Sequence, residues 1–126
     1  MAESRKLVLV VDDDPEIRAL VVKALSSKGY ETAQAADGLI ASEVLGSLKR
    51  VPDLLICDIM MPSVDGLALA KLLRAKPEFS GLPIIFLTAK NSFSDVVQGI
   101  QAGARHYVQK PFSVKDLLEK VEKTLR

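Results

Sequence analysis

Leu7-Val8-Leu9-Val10-Val11-Asp12-Asp13-Asp14-Pro15-Glu16 joins an unbroken apolar run to an acidic triplet and a proline. A strand with one wet face alternates apolar and polar residues. Leu7 to Val11 does not, so it reads as a strand covered on both faces, the condition of a parallel sheet. The chain then changes structure within a few residues. Asp14 suits an N-cap, and Pro15 suits the first helical position, where its missing N–H would have had no partner anyway. The stretch reads as one β-strand handing over to one α-helix.

The same unit recurs along the chain. Further apolar runs lie at Leu54 to Cys57 and Ile84 to Leu87, with a weaker one at Tyr30 to Ala36 and a brief one at Tyr107 to Val108. Between them Ile17, Leu20, Val21, Ala24 and Leu25 recur at helical spacing, and Ala41, Val44, Leu45 and Leu48 repeat it. Leu69, Leu72 and Leu73 mark a third helix, Val96, Val97 and Ile100 a fourth, and Val114, Leu117, Leu118, Val121 and Leu125 a fifth. Gly29 fits the end of the first. Strands are expected near 6–11, 30–36, 53–57, 83–87 and 105–108, and helices near 15–28, 38–49, 65–75, 93–102 and 113–125. Strand then helix, five times over with right-handed crossovers, gives a doubly wound α/β sandwich with helices on both faces of a five-stranded parallel sheet.

Composition narrows the function. A chain of 126 residues that is 48% apolar is expected to form a single domain spanning 1–126. It would bury roughly two-thirds of its unfolded surface without disulfides or a structural metal. Lysine and arginine number 17 against 16 acids, so no whole-molecule field draws the protein to nucleic acid or to an anionic membrane. Cys57 is the only cysteine, which excludes an internal disulfide and suits a reducing cytosol; its place at the end of an apolar run suggests burial. The first apolar stretch stops at Val11, too short for a signal sequence or a membrane span. A soluble cytoplasmic protein is expected, and no linker, repeat or low-complexity segment interrupts it.

In an open parallel sheet, ligands bind outside the carboxyl ends of the strands. Here the first run ends in Asp12, Asp13 and Asp14, the third in Asp58 and the fourth in Thr88, and the fifth is followed by Lys110 and Pro111. Asp14 is accounted for as a helix cap. Two of the other carboxylates about 5 Å apart, at an effective dielectric near 20, repel by roughly 3 kcal/mol, so Asp12, Asp13 and Asp58 require a cation. An acidic cluster without partner histidine or cysteine suits magnesium, which takes oxygen ligands and often a substrate phosphate. Lys110 supplies a second, permanent cation. With charge so screened a carboxylate can attack phosphorus, where catalysis is mostly positioning and electrostatics; Asp58 is the candidate nucleophile.

Val10-Val11-Asp12-Asp13-Asp14-Pro15, Asp58-Ile59-Met60-Met61-Pro62-Ser63-Val64-Asp65-Gly66, Thr88-Ala89, Gly103-Ala104 through Tyr107 and Lys110-Pro111-Phe112 together resemble the receiver domain of two-component response regulators, over the whole chain. The resemblance implies the flavodoxin-like strand order 2-1-3-4-5 of single-domain chemotaxis-type regulators. It implies a phosphoryl group accepted on Asp58 from a sensor histidine kinase or a histidine phosphotransfer protein. Magnesium, or manganese, would be held by Asp12, Asp13, Asp58 and the backbone carbonyl of Met60. Thr88 and Lys110 would contact phosphoryl oxygens, with a cis Lys110–Pro111 peptide aiming the lysine, and Thr88 and Tyr107 would form a switch that alters binding to a downstream effector protein or domain. Such a domain assists its own phosphorylation and autodephosphorylation without being an enzyme in the ordinary sense.

Some residues depart from the family pattern. Relatives commonly carry an acid just before the switch aromatic, whereas Arg105 and His106 make this patch neutral to basic, which favours a mostly monomeric form, with a weak dimer as the alternative. His106, the only histidine, is assigned no chemistry. Met60 and Lys90 occupy places that influence how water reaches the phosphoryl group. Arg126 directly follows the fifth helix, so output is expected through a partner or through a domain beyond this piece, without direct nucleic-acid binding or membrane insertion. A magnesium-dependent phosphohydrolase with an aspartate nucleophile is the alternative. Hydrolases of the haloacid dehalogenase type place Asp-X-Asp-X-Thr after the first strand, however, where this chain has Asp12-Asp13-Asp14-Pro15-Glu16. A receiver-like adaptor working without phosphorylation would be expected to lack Asp58, Thr88 or Lys110, and a flavin phosphate would be repelled by the acidic strand ends.

Overall fold

The structure, a computed structural model, describes residues 5–61, 64–89, 100–101 and 103–126. Five parallel strands, β1 Leu7–Val11, β2 Glu31–Ala35, β3 Leu54–Asp58, β4 Ile84–Thr88 and β5 Ala104–Gln109, form one sheet in the order β2-β1-β3-β4-β5. This is the expected doubly wound order, with the switch point between β1 and β3. The continuous apolar runs earn their central places, for β1, β3 and β4 are buried at every residue. The weaker runs, β2 and β5, take the edges and are partly exposed.

Successive residues of a strand point to opposite faces, and each face has its own core. Leu9, Val11, Leu55, Cys57, Ile84 and Phe86 pack against α2 (Gly38–Ser47) and α3 (Gly66–Arg74). Val8, Val10, Leu54, Ile56, Ile85 and Leu87 pack against α1 (Pro15–Ser27) and the C-terminal helix (Val114–Leu125). The expected fourth helix, near 93–102, lies outside the described residues except at 100 and 101, which are helical. A 3-10 turn at Pro77–Phe79 had no counterpart in the sequence reading.

Local signals explain the junctions. Asp14 caps α1, its Oδ1 accepting from the N–H of Glu16 at 2.9 Å; Asp37, Asp65 and Ser113 cap the others in the same way. Gly29 follows α1 with φ +88°, the left-handed conformation that glycine adopts without a steric cost. Three expectations about helix faces are corrected. Leu20 and Leu72 are 43% and 51% exposed. Ile17, Val21, Ala24 and Leu25 already complete the inward stripe of α1, and Leu67, Leu69, Ala70 and Leu73 that of α3, which leaves Leu20 and Leu72 on the flanks. Ile100, placed in the expected fourth helical stripe, is likewise exposed.

Candidate functional site

Asp12 follows β1 directly, and its N–H donates to the carbonyl of Ala35 at 3.2 Å, fixing the turn against β2. Its side chain is fully buried. Oδ1 accepts from the N–H of Asp14 at 2.9 Å. Oδ2 lies 2.9 Å from Lys110 Nζ, an ion pair whose alignment leaves that oxygen without a hydrogen bond. Asp58, the last residue of β3 and 4% exposed, accepts from the N–H of Met60 at 3.2 Å and from Lys110 Nζ at 3.1 Å. Asp13 is exposed. One carboxylate oxygen from each of Asp12, Asp13 and Asp58 lies within 4.8 Å of the others.

Lys110 reaches this cluster because β5 ends one residue earlier. Its N–H donates to the carbonyl of Thr88 at 2.8 Å, and the Lys110–Pro111 peptide is cis, as expected. Three carboxylates and one ammonium sum to a charge of −2. A buried carboxylate oxygen with no hydrogen bond is costly, and a hard oxygen set lacking nitrogen and sulfur ligands suits a divalent cation such as magnesium. The donor set therefore fits the metal that the resemblance implies. Lys90, Pro62 and Ser63 lie outside the described residues.

The electrostatics single out Asp58. Burial, followed by the charge of Asp12, lifts its pKa from 3.8 to about 6, against the opposing pull of Lys110 and the Met60 N–H. Burial would lower the Lys110 ammonium, but the carboxylates of Asp12 and Asp58 outweigh it and hold its pKa above the ordinary value. The Cys57 thiol goes the other way: burial, then the charges of Asp58, Asp12 and Asp65, push it well up. It stays a thiol, and the site has no cysteine nucleophile.

Thr88 is fully buried at the end of β4, and Tyr107 is half-buried on β5. Register pairs Phe86 with Tyr107 and Thr88 with Gln109, and the rings of Phe86 and Tyr107 sit 5.6 Å apart. Of the five side-chain positions expected at the strand ends, Asp12, Asp13, Asp58 and Lys110 form the acidic cluster, and Thr88 ends β4, its carbonyl accepting from the N–H of Lys110. Met60 exposes its side chain by 53% while its backbone is held at Asp58.

Three supports escaped the sequence reading. Arg18 donates from Nη1 to the Asp12 carbonyl at 2.8 Å and from Nε to Gln34 Oε1 at 3.2 Å, bracing the acidic turn between α1 and β2. A lone arginine on a polar helix face gives no signal of this. Gly66 comes so close to the backbone of Asp58 that a Cβ there would overlap the Asp58 carbonyl. Its place in the quoted Asp65-Gly66 pair was the only hint. Gly38, at the start of α2, packs equally closely on Val64.

A flavodoxin-like sheet with a lysine-bridged acidic cluster at its switch point defines the class, and the comparisons define the family. The family model of the response regulator receiver domain matches residues 8–122, and the chain belongs to that family, the receiver domains of two-component signalling. Over 126 residues it is 40% identical to the DNA-binding response regulator MtrA of Mycolicibacterium smegmatis, aligning 100% of this chain with 53% of that protein. The chain thus spans about half the length of the curated relatives it matches. Among solved structures it is similar to the chemotaxis protein CheY4 of Vibrio cholerae, with 32% identity, a TM-score of 0.90, and coverage of 97% of this chain and 100% of that one. It is also similar to the signal receiver domain of a signal transduction histidine kinase from Syntrophus aciditrophicus, with 32% identity, a TM-score of 0.85, and coverage of 95% and 89%. No helix among the described residues is long and apolar enough to cross a membrane.

Proposed function

We propose that this domain accepts a phosphoryl group on Asp58 from a phosphohistidine of a sensor kinase or phosphotransfer protein, and that the modified state changes binding to an effector protein or domain. The observation that carries the reading is the Asp58 carboxylate itself, nearly buried, with Lys110 Nζ at 3.1 Å and two further carboxylates within 4.8 Å. An Asp58 oxygen attacks phosphorus, the bond from phosphorus to the donor imidazole breaks, and Lys110 meets the developing charge on the transferring oxygens. Asp12, Asp13, Asp58 and the carbonyl of Met60 would hold magnesium or manganese, which supplies charge neutralisation when bound.

Thr88 reads the phosphoryl group through its hydroxyl, and Tyr107 turns with it. The domain acts in the cytoplasm as a signalling unit, mostly monomeric, and returns to its resting state by autodephosphorylation. Acetyl phosphate with magnesium should label the wild-type protein at Asp58, located by mass spectrometry after borohydride trapping. Equal labelling of Asp58→Asn, or labelling indifferent to a chelator, would refute the assignment.

A further inference from the structure

Of the three carboxylates in the cluster, Asp12 and Asp58 are buried and Asp13 is exposed. Lys110 and the N–H groups of Asp14 and Met60 hold the buried pair. Among the described residues no hydrogen bond or ion pair holds the Asp13 side chain. Its direction is therefore set by the backbone on either side of it.

Arg18 ties down both sides. From α1 its Nη1 donates to the Asp12 carbonyl at 2.8 Å, the oxygen of the planar peptide unit that leads into Asp13. Its own N–H donates to the Asp14 carbonyl at 2.9 Å. Because a peptide unit is rigid, holding its oxygen fixes the direction from which the Asp13 Cα enters the cluster. The guanidinium is aimed in turn. Its Nε donates to Gln34 Oε1 at 3.2 Å, and Gln34 stands one residue before Ala35 of β2, whose carbonyl accepts from the Asp12 N–H at 3.2 Å. A planar fork can meet two acceptors at fixed angles, which an ammonium on a flexible stem cannot.

A guanidinium beside a cation site acts in two opposed ways. Its charge repels the metal, and its hydrogen bonds preorganise the ligands. Arg18 is half-exposed and Gln34 is exposed, so solvent screens the charge while the bonds remain. We propose that Arg18, oriented by Gln34, is a positioning residue for the divalent cation: through the Asp12 carbonyl it holds Asp13 where its carboxylate closes the ligand set, and this bracing outweighs the repulsion. The role rests on the metal site proposed for Asp12, Asp13 and Asp58.

The test measures manganese affinity, with the unbound ion counted by electron paramagnetic resonance. Arg18→Lys keeps the charge and loses the fork, and should weaken manganese binding roughly ten-fold, the lower end of what groups orienting metal ligands contribute. Arg18→Met should weaken it as well; tighter binding would show that repulsion dominates and overturn the proposal. Gln34→Leu should weaken it in the same direction, and an unchanged affinity would overturn the part given to Gln34. Arg50→Lys is the control. That arginine makes a comparable brace at the opposite end of the sheet, from Nη2 to the Arg5 carbonyl at 2.7 Å and to Glu31 Oε2 at 3.2 Å. Its loss should leave manganese affinity within about two-fold. Equal losses in Arg18→Lys and Arg50→Lys would reduce the effect to general loosening and overturn the proposal. A second readout, in the metal-free protein, is NMR hydrogen exchange of the Asp14 amide, which donates to Asp12 Oδ1. Exchange should quicken in Arg18→Lys, and unchanged exchange would overturn the bracing. Faster exchange with unchanged manganese affinity would refute this role alone, whereas wild type that binds no manganese would refute the metal site and the role with it.

Discussion

Replacing Asp58 by asparagine should stabilise the metal-free protein at neutral pH, although it deletes a hydrogen-bonded ion pair. The carboxylate is 4% exposed and shares its pocket with Asp12. Raising its pKa from 3.8 to about 6 means that folding with this group ionised costs about 3 kcal/mol. Asparagine removes the charge at almost constant volume. That cost is already net of the attraction of Lys110 and the Met60 N–H, and Lys110 keeps Asp12 Oδ2 at 2.9 Å; allowing about 1 kcal/mol for the amide's weaker hydrogen bonding, a net gain of about 2 kcal/mol remains. For a chain of this length that is a rise in Tm of roughly 8 °C.

The sign fixes the pH window. Below about pH 4 the carboxyl is protonated in folded and unfolded chains alike, and wild type and Asp58→Asn should be nearly equal in stability. Between about pH 4 and 6 the folded protein retains a proton that the unfolded chain has released, so wild-type stability falls with rising pH relative to the variant. Above the folded-state pKa the gap is constant. Urea unfolding in EDTA, followed by circular dichroism across this range, measures the difference directly, and groups common to both proteins cancel. A gap that does not change with pH, or a variant less stable than wild type at neutral pH, would refute the reasoning.

Magnesium at 100 times its dissociation constant should add about 2.7 kcal/mol to wild type, near ten degrees in a thermal scan, and Asp13→Asn should lose most of that increment while being no less stable in EDTA. Thr88→Ala and Lys110→Ala should leave the Asp58 carboxylate present but break the link from phosphate to partner; a partner-affinity assay showing normal switching in either would move the readout to other residues. Gly66→Ala should cost about 1–3 kcal/mol and weaken magnesium binding by titration calorimetry, since its methyl group can be accommodated only by moving the backbone of Asp58. Unchanged magnesium affinity would show that the loop yields elsewhere.

How much of this was legible in the sequence depended on the range of the interaction. The central strands could be read because burial on both faces leaves a continuous apolar run, as in Leu54 to Cys57. β2 was legible only weakly, because an edge strand reading Glu31-Thr32-Ala33-Gln34-Ala35 has a solvated side. The helices were legible as periods but not as exact faces, since Leu20 and Leu72 are apolar for reasons that the inward stripe does not require. At the site, Asp12, Asp58, Thr88 and Lys110 could be placed together because strand ends converge by topology. Arg18 and Gly66 could not. The first acts through one backbone carbonyl and the second through a side chain it lacks, and neither leaves a periodic trace.

The geometry also suggests why the proposed chemistry and readout share two strands. Thr88 and Phe86 are two residues apart on β4, so their side chains lie on the same face about 7 Å apart along the strand. Phe86 belongs to the core beneath α2 and α3, and Tyr107 packs against that same core from β5. In the proposed switch, a movement of the Thr88 hydroxyl toward Asp58 would empty space on the face that the Tyr107 ring borders, next to its 5.6 Å contact with the Phe86 ring. Lys110, three residues beyond Tyr107, binds Asp58 at the other end of the same short segment. In the proposed switch a charge change at Asp58 would pull on β4 through Thr88 and on β5 through Lys110, whose Nζ lies 3.1 Å from Asp58. Tyr107 would lie where the two displacements meet, on β5, the edge strand of the sheet.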